Sequence, residues 1–140
     1  MGDRANVNVI HNVEADQVLG VNLYLRFGGA SALLKALTRV GDAFGRADDP
    51  AYFNRYVLCG LVADLSGSTA GAGLEPFTTP TVAAACRFAP DNQHTIVTFD
   101  LSGMSVWLAE TEGAGGGLHS FHLSRDELRE AATRLKDLEA

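Results

Sequence analysis

The sequence is poor in the features that would commit a chain of this size to one chemistry. Its longest apolar runs are only a few residues, far short of the roughly 20 that a bilayer span requires, so no membrane partner is expected. Met1 to Val9 carry charge and amides where a secretory signal would place an apolar core, so the expected location is cytoplasmic. Cysteine is scarce: Cys59 and Cys86 lie in apolar surroundings without Cys-x-x-Cys spacing, which argues for reduced, packed thiols over a disulfide framework. Basic residues are missing altogether between Arg87 and Arg125, an interval that contains Asp91, Asp100, Glu110 and Glu112. Residues 1–60 hold six basic and six acidic side chains and residues 61–140 hold five and eleven, so the net charge of −6 belongs to the second half. This distribution disfavours nucleic acid, because phosphate binding needs clustered Lys and Arg to displace counterions.

Motifs of catalysis and metal binding are absent too. His119 and His122 stand three apart in a segment that reads as a strand, which sends them to opposite faces, and neither His11 nor His94 has a Cys or His at ligand spacing. No metal and no cofactor are expected. Ser66, Ser68 and Thr69 lie near Asp64 but lack a Gly-x-Ser-x-Gly elbow, so turn formation accounts for them and no catalytic residue is assigned. Asp100 and Glu110, on neighbouring predicted strands, form an acid pair only if their faces coincide; solvation or pairing with arginine is the alternative.

What is present is the material of one folded domain spanning residues 1–140, with 46% apolar and 20% charged residues spread along the chain. Arg4 to Ile10 alternates polar and apolar residues, and Val21 to Phe27 repeats the pattern, so the two read as antiparallel strands joined by a long polar connection over residues 11–20. From Ser31 the spacing of Leu33, Leu37, Val40 and Phe44 is that of an amphipathic helix. Asp49-Pro50 opens a second helix toward Leu65, because the aspartate caps free amides and proline's fixed φ suits the first turn. Residues 66–80, rich in Ser, Gly, Thr and Pro, read as one long irregular loop. Val82–Phe88, Thr95–Leu101, Met104–Ala109 and Leu118–Leu123 read as a four-strand meander. Ser124-Arg125-Asp126-Glu127 has capping-box spacing ahead of a final helix. The expected fold class is α+β: a mostly antiparallel sheet of about six strands, two helices inserted after strand 2, and a C-terminal helix.

On the first two strands, Arg4, Asn6, Asn8, Asn22, Tyr24 and Arg26 share the face opposite the apolar one. Guanidinium forks suit phosphate or carboxylate, amides read polar edges, and a tyrosine ring can stack. The competing explanation is the solvated face of a one-sided sheet. Gly28 and Gly29 follow at the entry to a helix, where free amides and the helix dipole favour an anion, although the pattern is neither a phosphate loop nor a dinucleotide fingerprint. These eight residues form the candidate ligand-binding set.

Gly2-Asp3-Arg4-Ala5-Asn6-Val7, Leu23-Tyr24-Leu25-Arg26-Phe27-Gly28-Gly29 and Asp49-Pro50-Ala51-Tyr52 resemble a recurrent family of small proteins from bacteriophages and actinobacterial genomes. That family opens G-x-R-A-N-V/I and continues with L-Y-x-H/R and a glycine pair. The likeness covers about the first half of the chain, and Arg26 stands where many members carry histidine. It implies a phage or mobile-element setting and carries no activity. Two readings follow: a non-enzymatic accessory protein that sequesters a small anionic, nucleotide-like ligand, or a protein-interaction module that inhibits a host defence or regulatory protein through its acidic second half. An unassigned hydrolase or transferase ranks third. The open edges of a meander also leave homo-oligomer formation open.

Overall fold

The computed structural model describes residues 4–25, 29–42, 49–66, 72–111 and 116–140. In chain order the elements are β1 (Ala5–Glu14), β2 (Gln17–Leu25), α1 (Gly29–Asp42), α2 (Pro50–Ser66), β3 (Ala72–Thr79), α3 (Val82–Cys86), β4 (Ile96–Asp100), β5 (Ser105–Ala109), β6 (Leu118–His122) and α4 (Arg125–Glu139). The strands form one sheet in the order β3-β2-β1-β4-β5-β6. Every neighbouring pair is antiparallel except β1 with β4, which run parallel. The fold is α+β, with two helices after the second strand and one at the C-terminus, as the sequence pattern predicts.

Alternation along β1 and β2 is what gives this sheet two different faces. Ala5, Val7, Val9, Leu23 and Leu25 point to one side, where α1, α2 and α4 cover them with Leu33, Leu37, Val40, Phe53, Val57, Leu61, Leu128 and Leu135. Val97, Phe99, Val106 and Leu108 extend the same core across β4 and β5. Full burial of each such aliphatic or aromatic side chain contributes about 1.5–3 kcal/mol, so this layer is the main source of stability. The opposite face holds a smaller apolar cluster, Ile10, Val18, Phe77 and Ala85, beneath α3.

Three local readings of the sequence are corrected. First, the polar connection between β1 and β2 is itself strand: the hairpin turns tightly between Glu14 and Gln17, with an irregularity in register between Ile10 and Asn12. Second, Val82–Phe88 does not add a strand, because Val82–Cys86 is a helix. The Thr81 hydroxyl accepts from Ala84 N–H at 3.1 Å and caps an alanine-rich turn, a composition that favours helix over sheet. Third, the missing strand lies inside the segment read as a loop, at Ala72–Thr79, pairing along the length of β2 from Val18↔Thr79 to Leu25↔Ala72. Its Gly73 and Pro76 are tolerated because β3 is a sheet edge, where a strand bonds to one neighbour only. Phe44 and residues 67–71 lie outside the described residues. Cys59 is also relocated: α2 buries Phe53, Val57, Gly60 and Leu61, which turns Cys59 to solvent, whereas Cys86 is fully buried.

Close packing across the second face is set at Gly20, which pairs with Phe77. A Cβ at position 20 would run into the Phe77 ring and lie 2.9 Å from the Val9 carbonyl oxygen. Gly20→Ala is therefore expected to lower unfolding stability by about 2 kcal/mol, the scale of overpacking in a filled site. Urea unfolding with an unchanged m-value checks it; a midpoint equal to wild type contradicts this account of the packing.

Candidate functional site

The candidate polar face of β1 and β2 is the face that α3 and the chain after it cover. Asn6 pairs with Tyr24 and Asn8 with Asn22 in the register of the hairpin, so the side chains stand side by side. Asn6, Asn8 and Asn22 are at most 1% exposed. Their amides bond to one another and to the covering segment. Asn22 Nδ2 donates to Asn6 Oδ1 at 3.1 Å and to Asn8 Oδ1 at 2.7 Å. Asn8 Nδ2 donates to the carbonyls of Ala85 and Phe88 at 3.0 and 2.8 Å, and Asn6 Nδ2 donates to Asp91 O and Asn92 Oδ1, both at 3.1 Å. The three asparagines thus act as a clasp holding α3 and residues 88–92 against the sheet.

Arg4 and Tyr24 sit at the rim of this clasp. Both reach the Asp91 carboxylate, Arg4 at 3.0 Å and Tyr24 Oη at 3.2 Å, and Gln93 Oε1 accepts from the Arg4 backbone N–H at 2.9 Å. Gly29 is buried with φ 58° as the first residue of α1, a left-handed conformation that glycine adopts without strain. Arg26 and Gly28 lie outside the described residues. The structure therefore gathers Arg4, Asn6, Asn8, Asn22 and Tyr24 onto one face, with the covering segment bonded to all but Asn22, which is held through Asn6 and Asn8 while its own Oδ1 is buried without a hydrogen-bond partner among the described residues.

Ionisable groups collect elsewhere. Glu139, in the last turn of α4, accepts from Thr95 N–H at 2.9 Å and Thr95 Oγ1–H at 2.8 Å, and meets His94 Nδ1 at 2.5 Å. Burial alone would raise its pKa, but the two Thr95 hydrogen bonds and His94 outweigh burial and hold the carboxyl below its ordinary value of 4.5. Glu110 Oε2 meets His119 Nε2 at 2.6 Å, while Arg134 NH1 lies 3.4 Å from His119 Nδ1. His119 pairs in register with Leu108 and His122 with Ser105, so the two histidines face opposite sides of the sheet. Asp100 and Glu110 do not form an acid pair: Asp100 lies opposite Ser105 at one end of the β4–β5 pair, where it accepts from Gly103 N–H at 2.9 Å, and Glu110 follows the other end. Burial pushes the Cys86 thiol up to about 12, which keeps it protonated and a poor nucleophile. Among the described residues no group of three or more His, Cys, Asp or Glu side chains is placed to hold a metal, and no helix is long and apolar enough to cross a membrane.

A cleft of about 510 Å³ opens between the C-terminal half of α1 and the N-terminal half of α4. Leu37, Leu128 and Ala132 contribute apolar lining, and Thr38, Asp42, Arg125 and Arg129 contribute polar side chains. Arg125 and Arg129 are i,i+4 neighbours, so one face of α4 presents both guanidinium groups. Arg129 meets Asp126 at 3.4 Å, but the two side chains are 80% and 91% exposed, and such a pair contributes little. The sequence pattern reads Ser124–Glu127 only as a helix start, which it is: Ser124 accepts from Glu127 N–H at 3.3 Å. The arginine pair is visible at its helical spacing, but the partner wall from α1 is not. No family model, no curated protein and no solved structure matches this chain.

Two outcomes are expected. Asn8→Ala removes the donor to the Ala85 and Phe88 carbonyls and an acceptor for Asn22, so equilibrium unfolding should show a loss of about 3 kcal/mol without any ligand present. A loss below about 0.5 kcal/mol would show that the clasp does not hold the covering segment. Glu139 has a folded pKa below its unfolded one, so its contribution is complete above pH 4.5 and disappears as pH falls through the folded value. Glu139→Gln should flatten the fall of stability below pH 4.5; an acid limb as steep as wild type would overturn this linkage.

Proposed function

We propose that the protein is a non-enzymatic binder of a small anionic ligand of nucleotide-like size, held in the cleft between α1 and α4. The observation that carries this reading is the pair Arg125 and Arg129 beside an apolar lining. Guanidinium groups make directional, charge-assisted bonds to phosphate or carboxylate, and two of them on one helix face can share one anion. The apolar lining of Leu37, Leu128 and Ala132 suits a ring or short aliphatic body attached to the anion. Support also comes from the sheet side of the molecule. The amides of Asn6 and Asn8 already hold the covering segment, so the cleft offers its cations to a ligand at lower cost than the clasp would.

Calorimetric titration with inorganic phosphate and a panel of mono- and dinucleotides tests the proposal. Saturable binding is expected, weakened by about tenfold or more in Arg125→Ala and in Arg129→Ala, the scale of a lost charged hydrogen bond. Gly41→Leu should abolish it while keeping both arginines: a Cβ there meets Leu128 Cδ1 at 3.9 Å, an ordinary contact, and the rest of the side chain fills the cleft. Binding lost in Arg4→Ala or Tyr24→Ala but kept in the arginine and Gly41 variants would move the site to the sheet edge. No binding across the panel would overturn the proposal.

A further inference from the structure

The sheet ends at β3 on one side and at β6 on the other. Pro76 guards β3, because proline has no N–H to offer a further strand. β6 carries no proline, and its hydrogen-bond pattern is fixed from both ends. Glu110 N–H donates to the Gly117 carbonyl at 2.8 Å and Leu123 N–H to the Met104 carbonyl at 2.9 Å. In the antiparallel register between them, Gly117, His119, Phe121 and Leu123 turn their main-chain groups to β5, and Leu118, Ser120 and His122 turn theirs outward. Both ends of this outward row are already bonded. His122 N–H donates to Glu127 Oε1 at 3.0 Å, and its carbonyl accepts from Ser124 N–H at 2.9 Å. Gly116 N–H donates to the Thr111 carbonyl at 3.1 Å, and its own carbonyl accepts from the Arg87 guanidinium. Between these ends, the N–H and C=O groups of Leu118 and Ser120 bond none of the described residues.

We propose that this window is the docking site for β6 of a second copy of the chain, antiparallel about a two-fold axis at His119, which joins the two sheets edge to edge. The window is its own complement. Leu118 then faces Ser120 of the partner copy, and the axis repeats the pair, so both pairs exchange N–H···O=C bonds and every open group on both edges is used. An axis at Ser120 would instead set Leu118 against His122 of the partner copy, whose outward groups are taken. A foreign strand long enough to bind by its main chain alone would overrun the window onto the same bonded ends. Size fits as well: Phe121 comes opposite Gly117 of the partner copy, which has no side chain to meet the ring. α4 flanks the edge, with Arg134 NH1 3.4 Å from His119 Nδ1 and with Phe121, Glu130, Thr133, Arg134 and Asp137 along a groove of about 450 Å³. The two α4 helices run antiparallel about the axis. Arg134 and its equivalent then stand between two carboxylate layers, each made by Glu130 of one copy and Asp137 of the other, within one helical turn.

Sedimentation of the full chain over a range of concentrations, combined with cysteine cross-linking, tests the proposal. A reversible dimer is expected. Ser120→Pro, which removes an outward N–H that bonds nothing within one copy, and Arg134→Glu, which leaves only acids around the axis, should each raise its Kd about tenfold or more. Mixing Arg134→Glu with the double variant Glu130→Arg, Asp137→Arg should restore a dimer that neither forms alone, a result that loss of folding cannot mimic. With exposed Cys59 changed to Ser, His119→Cys should cross-link to its equivalent under mild oxidation, since that pair stands about 4.5 Å apart between Cα atoms. Ser120→Cys, two residues out of register with its equivalent, should not. A chain that stays monomeric up to about 1 mM overturns the proposal, whether or not a foreign peptide adds to the edge. So does a dimer unmoved by Ser120→Pro and Arg134→Glu, or a cross-link formed at position 120 in place of 119.

Discussion

Buried amides must be bonded, and the second layer of this protein depends on how that requirement is met. Asn6, Asn8 and Asn22 occupy the β1–β2 hairpin at positions where an amide has no water to turn to. Leaving such groups unpaired costs on the order of 1–3 kcal/mol each, so a covering segment must supply acceptors. Ala85, Phe88 and Asp91 supply main-chain carbonyls at the required places. A five-residue helix has no stability in isolation, and α3 exists because the clasp and the small cluster around Phe77 hold it. The same bonds fix the path from β3 at one edge to β4 beyond β1. That path creates the single parallel pairing in the sheet.

α4 links two of the regions described above. Its last turn is fastened to the chain before β4 through Glu139, and its first turns form a wall of the cleft with α1. Charge-assisted bonds at one end and apolar packing of Leu128 and Leu135 along the middle hold the helix in register with α1. Arg125 and Arg129 are therefore carried on a helix whose backbone position is fixed at both ends. α2 packs beside α1 as α4 does, and its Tyr52 and Tyr56 rings stack on each other.

Periodicity determined much of this protein. The alternation in β1 and β2, the stripe of α1, the aspartate–proline start of α2 and the capping box of α4 are local patterns, and each produced the element it encodes because the relevant interactions span at most a few residues. The grouping of Arg4, Asn6, Asn8, Asn22 and Tyr24 was legible for the same reason: residues two apart on a strand share a face. Tertiary structure decided what that face meets. Nothing local distinguishes an asparagine that awaits water from one that will bond a carbonyl 77 or 80 positions away. It also decided that Ala72–Thr79 is a strand, since an edge position rather than composition tolerates Gly73 and Pro76. The cleft and the outward turn of Tyr52, Tyr56 and Cys59 follow from how helices pack against each other, a long-range outcome that no single helical stripe contains.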